Sequence, residues 1–139
     1  MRRHTTLAFQ AFVLLIAVEF SACGRSPATL TELERVRSGA LDVVVLSPTG
    51  TLRRGKEPFT IEFRAASDGH LLDAGSVKAS AAMPMPGMPM FGSINVQPGD
   101  VPGRYRAEGD FSMAGTWRVG IEFDGPAGKG SVSFSGNVQ

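Results

Sequence analysis

The sequence predicts an all-β domain, and three observations predict it. Glycine and proline are dense, 17 and 9 in 139 residues; long helices do not tolerate that density, whereas short strands joined by tight turns do. Apolar residues alternate with others at a period of two, most clearly in Phe59-Thr60-Ile61-Glu62-Phe63 and Trp117-Arg118-Val119-Gly120-Ile121-Glu122-Phe123, the pattern of a half-buried strand. Clusters of glycine, proline, aspartate and serine separate such stretches at near-regular intervals. With 19% charged and 42% hydrophobic residues, the composition is that of a single globular domain rather than of a disordered chain.

The elements follow in order. Met1-Arg2-Arg3-His4 is a short basic region, Leu7 to Phe20 is mostly apolar, and Ser21-Ala22-Cys23-Gly24 comes next. Basic, then apolar, then small is the layout of a signal peptide. Gln10 and Glu19 count against a stable membrane span. Small residues directly before a cysteine resemble a lipobox, in which the cysteine is acylated and becomes the new N-terminus. Acyl chains contribute about 0.8 kcal/mol per buried CH₂, enough for two or three of them to hold a domain on a membrane. The alternatives are cleavage elsewhere or an uncleaved anchor, with Cys23 incidental. Thr31-Glu32-Leu33-Glu34-Arg35-Val36-Arg37 has the spacing of two helical turns with a capping box, but its apolar face is only Leu33 and Val36. The segment from Cys23 to Ala40 therefore reads as a tether.

From Leu41 onward the signals are strands and turns. Leu41–Leu46, Phe59–Arg64, Gly75–Ala82, Phe91–Gln97, Arg104–Ala107, Thr116–Phe123 and Ser131–Val138 are the expected strands. About seven short strands at this spacing point to an antiparallel β-sandwich of immunoglobulin-like type. The alternation places Trp117, Val119, Ile121 and Phe123 in its core, and leaves Glu62 and Glu122 on solvated faces.

Inventory excludes much chemistry. A formal net charge of +1, with equal numbers of acidic and basic residues once Met1–Ala22 is set aside, provides no electrostatic footprint for nucleic acid. Cys23 is the single cysteine, so neither an internal disulfide nor a thiolate zinc site can form. His70 is the one histidine beyond the export segment, which leaves at most one member for a histidine-based triad or metal centre. No glycine-rich phosphate loop follows a strand and opens a helix, so no catalytic residues are assigned.

One segment carries a chemical lead. Met83-Pro84-Met85-Pro86-Gly87-Met88-Pro89-Met90 holds four thioethers in eight residues. Thioether sulfur is soft and uncharged at every pH, suited to Cu(I) rather than Ca²⁺ or Mg²⁺. Each proline holds the methionine before it extended, and Gly87 lets the two arms reverse and converge. Met113 and His70 are further ligands if the fold brings them near. Two other readings stand beside this one: a packing plug at one end of the sandwich, and an exposed apolar edge that grips a protein partner.

The methionine-proline loop is followed by Gly103-Arg104-Tyr105 and by Phe111-Ser112-Met113-Ala114-Gly115-Thr116-Trp117. In this order and spacing the motifs resemble the YtkA-like domain, a family related to FixH proteins, over about Leu41 to Val138. The resemblance implies an immunoglobulin-like sandwich outside the cytoplasmic membrane, associated with copper handling, heavy-metal efflux or oxidase assembly. The chain departs from the FixH pattern in having no clear retained transmembrane helix, which weighs against oxidase assembly. The expectation is a non-enzymatic, periplasm-facing lipoprotein. Residues 1–22 form the signal peptide, 23–40 a linker anchored to the membrane through Cys23, and 41–139 the β-sandwich. It binds Cu(I) through Met83, Met85, Met88 and Met90, with Met113 and His70 as further candidates, and serves a copper-handling or efflux protein. The alternative is an adaptor lipoprotein that binds an envelope protein without metal.

Overall fold

The computed structural model describes residues 28–139; the export segment and Cys23 lie outside the described residues. The described chain forms eight strands: β1 (Thr31–Ser38), β2 (Leu41–Ser47), β3 (Gly55–Ala65), β4 (Ser76–Met83), β5 (Met90–Pro98), β6 (Arg104–Phe111), β7 (Gly115–Gly125) and β8 (Gly128–Val138). All neighbours are antiparallel, in the order β1-β2-β3-β6-β5-β4-β7-β8. No helix among them is long and apolar enough to cross a membrane.

The sheet curls onto itself. Strands β4 and β5 pair only from Ala79 to Met83 and part below that, which lets the sheet fold into two layers. Phe63 of β3 then meets Phe123 of β7 edge-on at 5.1 Å, although three strands separate them in the ladder. The outermost strands β1 and β8 come side by side. Ile61, Phe63, Phe111, Trp117 and Ile121 are completely buried between the layers, and the alternation around Trp117 places inward the four side chains expected there.

The all-β class is as expected, but there is one strand more. Thr31–Ser38, read from the sequence as part of the tether, is instead β1, paired with β2. The reason lies in its spacing. Leu33 and Val36 are three apart, which suits one face of a helix, whereas strand periodicity is two. A bulge between Glu32 and Glu34 absorbs the extra residue, so both side chains pack against the core.

Glu62 also departs from expectation. It lies on the outward phase of β3, yet it is only 2% exposed. Arg104 Nε donates to it at 2.7 Å, and Arg64, two residues along on the same face, closes a second ion pair. Beside it Asp42 accepts from Arg37 Nε at 2.8 Å and from Arg35 Nη1 at 3.3 Å. The hydrogen bond from Arg37, followed by its charge and those of Arg35, holds the Asp42 carboxyl below the usual aspartate range. Val44, between Arg35 and Glu62 in register, is fully buried under this charged layer, whose arginine stems cover apolar surface. Glu122 is exposed, as its phase on β7 predicts.

Strand direction defines two ends. The β2–β3, β4–β5 and β6–β7 connections lie at one, together with Thr31 and Val138. The β1–β2, β3–β4, β5–β6 and β7–β8 connections lie at the other.

Candidate metal-binding end

All five methionines among the described residues sit at the end where the chain enters the sheet. Met83 closes β4 and Met90 opens β5, and the two are direct cross-strand partners. Between them Pro84–Pro89 forms the hairpin loop. Met88 N–H donates to the Met85 carbonyl at 3.3 Å around Pro86 and Gly87, the latter at φ +79°. That is a type II turn, with proline fixing one central torsion and glycine supplying the positive one. The turn reverses the chain so that the Met83–Met85 and Met88–Met90 arms run side by side, as the sequence suggested.

The four sulfurs are not equivalent. Met83 is buried, and a β-carbon at Gly115 would lie 2.9 Å from its Cε. It is a core residue, in keeping with the plug reading for that position. Met85 and Met90 are partly buried and pack against the core, whereas Met88 is 71% exposed. Met113, in the neighbouring β6–β7 connection, is also exposed, and its backbone carbonyl accepts the Trp117 Nε1–H at 3.0 Å. The structure therefore gathers Met85, Met88, Met90 and Met113 as accessible or half-accessible thioethers at one end.

His70 is not among them. It lies in the β3–β4 connection at the far end, where its carbonyl accepts the Ala65 N–H at 2.8 Å and its ring is paired with Asp68. The length of β4, eight residues, puts the two ends about 25 Å apart. No group of three or more histidine, cysteine or carboxylate side chains among the described residues is placed to hold a metal ion; the soft ligands stand without hard ones.

Sequence reasoning passed over the loop's neighbours. Phe91 follows the inward Met90 and so must point outward; it is 78% exposed. Arg53 and Arg54 line one shallow depression with Ala114 and the C-terminal Gln139. Phe91 was legible from alternation alone. The arginines were not, because the β2–β3 connection reaches this end only through the order of strands.

The glycine-containing motifs have structural roles. Gly103 takes φ +88° and accepts the Phe63 N–H at 2.9 Å. Tyr105 Oη lies 3.0 Å from the Gly75 carbonyl and 3.3 Å from Asp73, which pins the β3–β4 connection to β6. Burial, then the Asp73 charge, pushes this phenol above the ordinary tyrosine range. Gly115, at φ +133°, leaves room for Met83 beside Trp117. The YtkA-like family model matches residues 37–122, a stretch that holds the methionine-proline loop and every one of these motif residues.

The chain belongs to the YtkA-like family.

Solved structures similar to this YtkA-like chain include FetP from uropathogenic Escherichia coli strain F11, recombinantly expressed in the periplasm of E. coli. It shows 11% identity and a TM-score of 0.46 over 78% of this chain and 95% of that one. A copper-bound variant of the same FetP shows 9% identity and a TM-score of 0.47 over 78% and 97%. The ZirS C-terminal domain shows 13% identity and a TM-score of 0.42 over 100% and 85%. No curated protein matches the chain in sequence.

Proposed function

We propose that this YtkA-like protein is a non-enzymatic lipoprotein of the cell envelope, anchored through Cys23, that binds Cu(I) at its methionine end. The observation that supports the reading is that the thioethers share one end of the sheet. The fold leaves Met85, Met88, Met90 and Met113 within one cluster of connections, while Met83 is committed to the core and His70 is at the opposite end. A site made of neutral thioethers selects a soft monovalent ion over Zn²⁺. Thioethers also survive in an oxidising compartment, where a thiol would be lost to disulfides. A half-open site of this kind suits exchange, with a copper-handling or efflux protein of the same compartment as the recipient or donor.

The test is a competition titration against a Cu(I) chelator in reductant. Wild type is expected to take copper from the chelator. The combined Met85→Leu, Met88→Leu, Met90→Leu and Met113→Leu variant is expected to lose that ability while remaining folded, because leucine keeps most of the volume. His70→Ala is expected to change nothing, and affinity is expected not to vary with pH while the domain stays folded, since no thioether has to lose a proton. If wild type and the leucine variant compete equally poorly, the copper reading fails. The anchor has its own check: the intact mass of protein extracted from membranes is expected to show an acylated N-terminal Cys23. An unmodified N-terminus elsewhere would remove the lipoprotein assignment.

A further inference from the structure

We infer that the methionine end is also a lipid-contacting surface, seated on the anionic headgroups of the bilayer that holds the anchor. The inference rests on the reading of Cys23 as the lipidated residue. Four independent features of the described chain point the same way.

The first is where the tether joins. Thr31 begins β1 at the methionine end, with Ser47 as its partner. Eight peptide units separate it from Cys23, a reach of at most about 28 Å when fully extended. The longest strands have 11 residues and run about 35 Å. The tether is thus shorter than these strands are long, which holds the methionine end, and not the far end, at the membrane.

The second is where the apolar surface lies. Of the four large hydrophobic side chains that the described residues expose, Met88, Phe91 and Met113 are at this end, and only Val101 is at the other. Proline-stiffened Met88 at the tip and outward Phe91 beside it are the side chains that an interface accepts a few ångströms deep.

The third is the basic rim. Arg53 and Arg54 flank the β6–β7 connection. Arg118 stands two strands from Phe91, through Ala82. None of the three forms an ion pair with a described residue. Of the exposed carboxylates toward this end, Glu32 is occupied by Arg35 and Glu108 by Lys56, while Asp110 forms no ion pair with a described residue. Arginine combines an apolar stem with a permanently charged head, which suits a site between acyl chains and phosphates.

The fourth is the contrast with the far end, where Asp68 and Asp73 have no arginine or lysine partner among the described residues, and where Arg104 and Lys129 are taken up by Asp100 and Asp124. That end therefore offers an anionic surface less attraction than the methionine end, whose rim arginines form no ion pair with a described residue. The polarity of charge and the polarity of the tether agree. On this placement, a thioether site opens at the membrane surface, within reach of membrane-embedded proteins.

The experiment uses the full-length protein, purified from membranes and reconstituted without copper into phosphatidylcholine vesicles with and without phosphatidylglycerol. Two variants, Met88→Cys and Asp68→Cys, carry an environment-sensitive fluorophore on the new thiol. Acylation of Cys23 leaves that thiol as the only reactive one, and the intact mass of each preparation reports whether Cys23 is acylated. The label at position 88 is expected to shift blue and to be quenched several-fold more strongly by bromolipid than the label at 68. The Arg53→Glu, Arg54→Glu and Arg118→Glu triple variant is expected to lose the phosphatidylglycerol dependence of that quenching. Equal bromolipid quenching at 88 and 68, with Cys23 acylated, would overturn the inference while leaving the anchor intact. Shielding at 88 that appears in detergent and grows with protein concentration would assign the surface to a second copy. Shielding seen in native membranes but absent from pure lipid would assign it to a protein partner; either result overturns the proposal. If Cys23 proves unacylated, the anchor reading falls by the mass alone. The inference, which rests on that anchor, falls with it, whereas equal quenching with Cys23 acylated sinks the inference alone.

Discussion

Trp117→Ala is expected to destabilise the domain by about 3–5 kcal/mol, the range for deleting a buried large aromatic. The indole is completely buried and stands edge-on to Phe111 at 5.5 Å. Its Nε1–H, which burial would otherwise leave unsatisfied, donates to the Met113 carbonyl at 3.0 Å. Its Cζ3 lies 3.2 Å from where a β-carbon on Gly92 would be, so the ring is clasped by β5 and cannot be replaced by collapse of the backbone around it. Removing it opens a cavity between the layers and frees the β6–β7 connection at the same time. Urea unfolding followed by far-ultraviolet circular dichroism measures the loss. Trp117→Phe retains most of the apolar volume and loses the hydrogen bond, and is expected to cost about 1–3 kcal/mol. Wild-type emission already characteristic of water-exposed indole would contradict the register of β7 and with it the whole inward set from Trp117 to Phe123.

Gly103→Ala is the second large effect, expected at about 2–6 kcal/mol. Two costs combine. The residue sits at φ +88°, where a non-glycine residue is strained by about 1–3 kcal/mol. A β-carbon there would also come within 2.7 Å of the Leu72 carbonyl oxygen and 2.9 Å of its nitrogen. These are backbone atoms held in place, since Leu72 N–H donates to the Phe63 carbonyl at 2.9 Å; relieving such a clash costs about 1–3 kcal/mol more. Gly87→Ala is the control. Its φ is +79°, with open space around the added methyl, so only the torsional part, about 1 kcal/mol, is expected. Equal losses in the two variants would show that the β3–β4 connection does not lie against Gly103.

The two substitutions explain what the family motifs are for. In Gly103-Arg104-Tyr105, the glycine admits the Leu72 backbone, the arginine clamps buried Glu62, and the tyrosine ties down Asp73 and Gly75. In Met113-Ala114-Gly115-Thr116-Trp117, the methionine contributes its carbonyl, the glycine makes room for Met83, and the tryptophan fills the core. Both motifs fasten opposite ends of the sandwich. The chemical lead stays with the methionine-proline loop between β4 and β5, whose side chains, apart from Met83, the core leaves wholly or partly free.

Local periodicity determined the all-β class, seven of the eight strands, the inward faces of β3 and β7, and the reversal at Gly87. All of these depend on residues within a few positions of one another, where alternation and turn chemistry dominate the free energy. Tertiary structure decided what depends on distant partners. It made Thr31–Ser38 a strand, because β2 offers an unpaired edge and a bulge reconciles a spacing of three with a period of two. It buried Glu62, because Arg104 arrives from β6, 42 residues away. It divided the five methionines among the described residues into one buried in the core and four wholly or partly exposed, and it sent His70 to the opposite end. Which side chains share an end is set by strand order and direction, and pairing over long separations in the chain leaves no local signature to read.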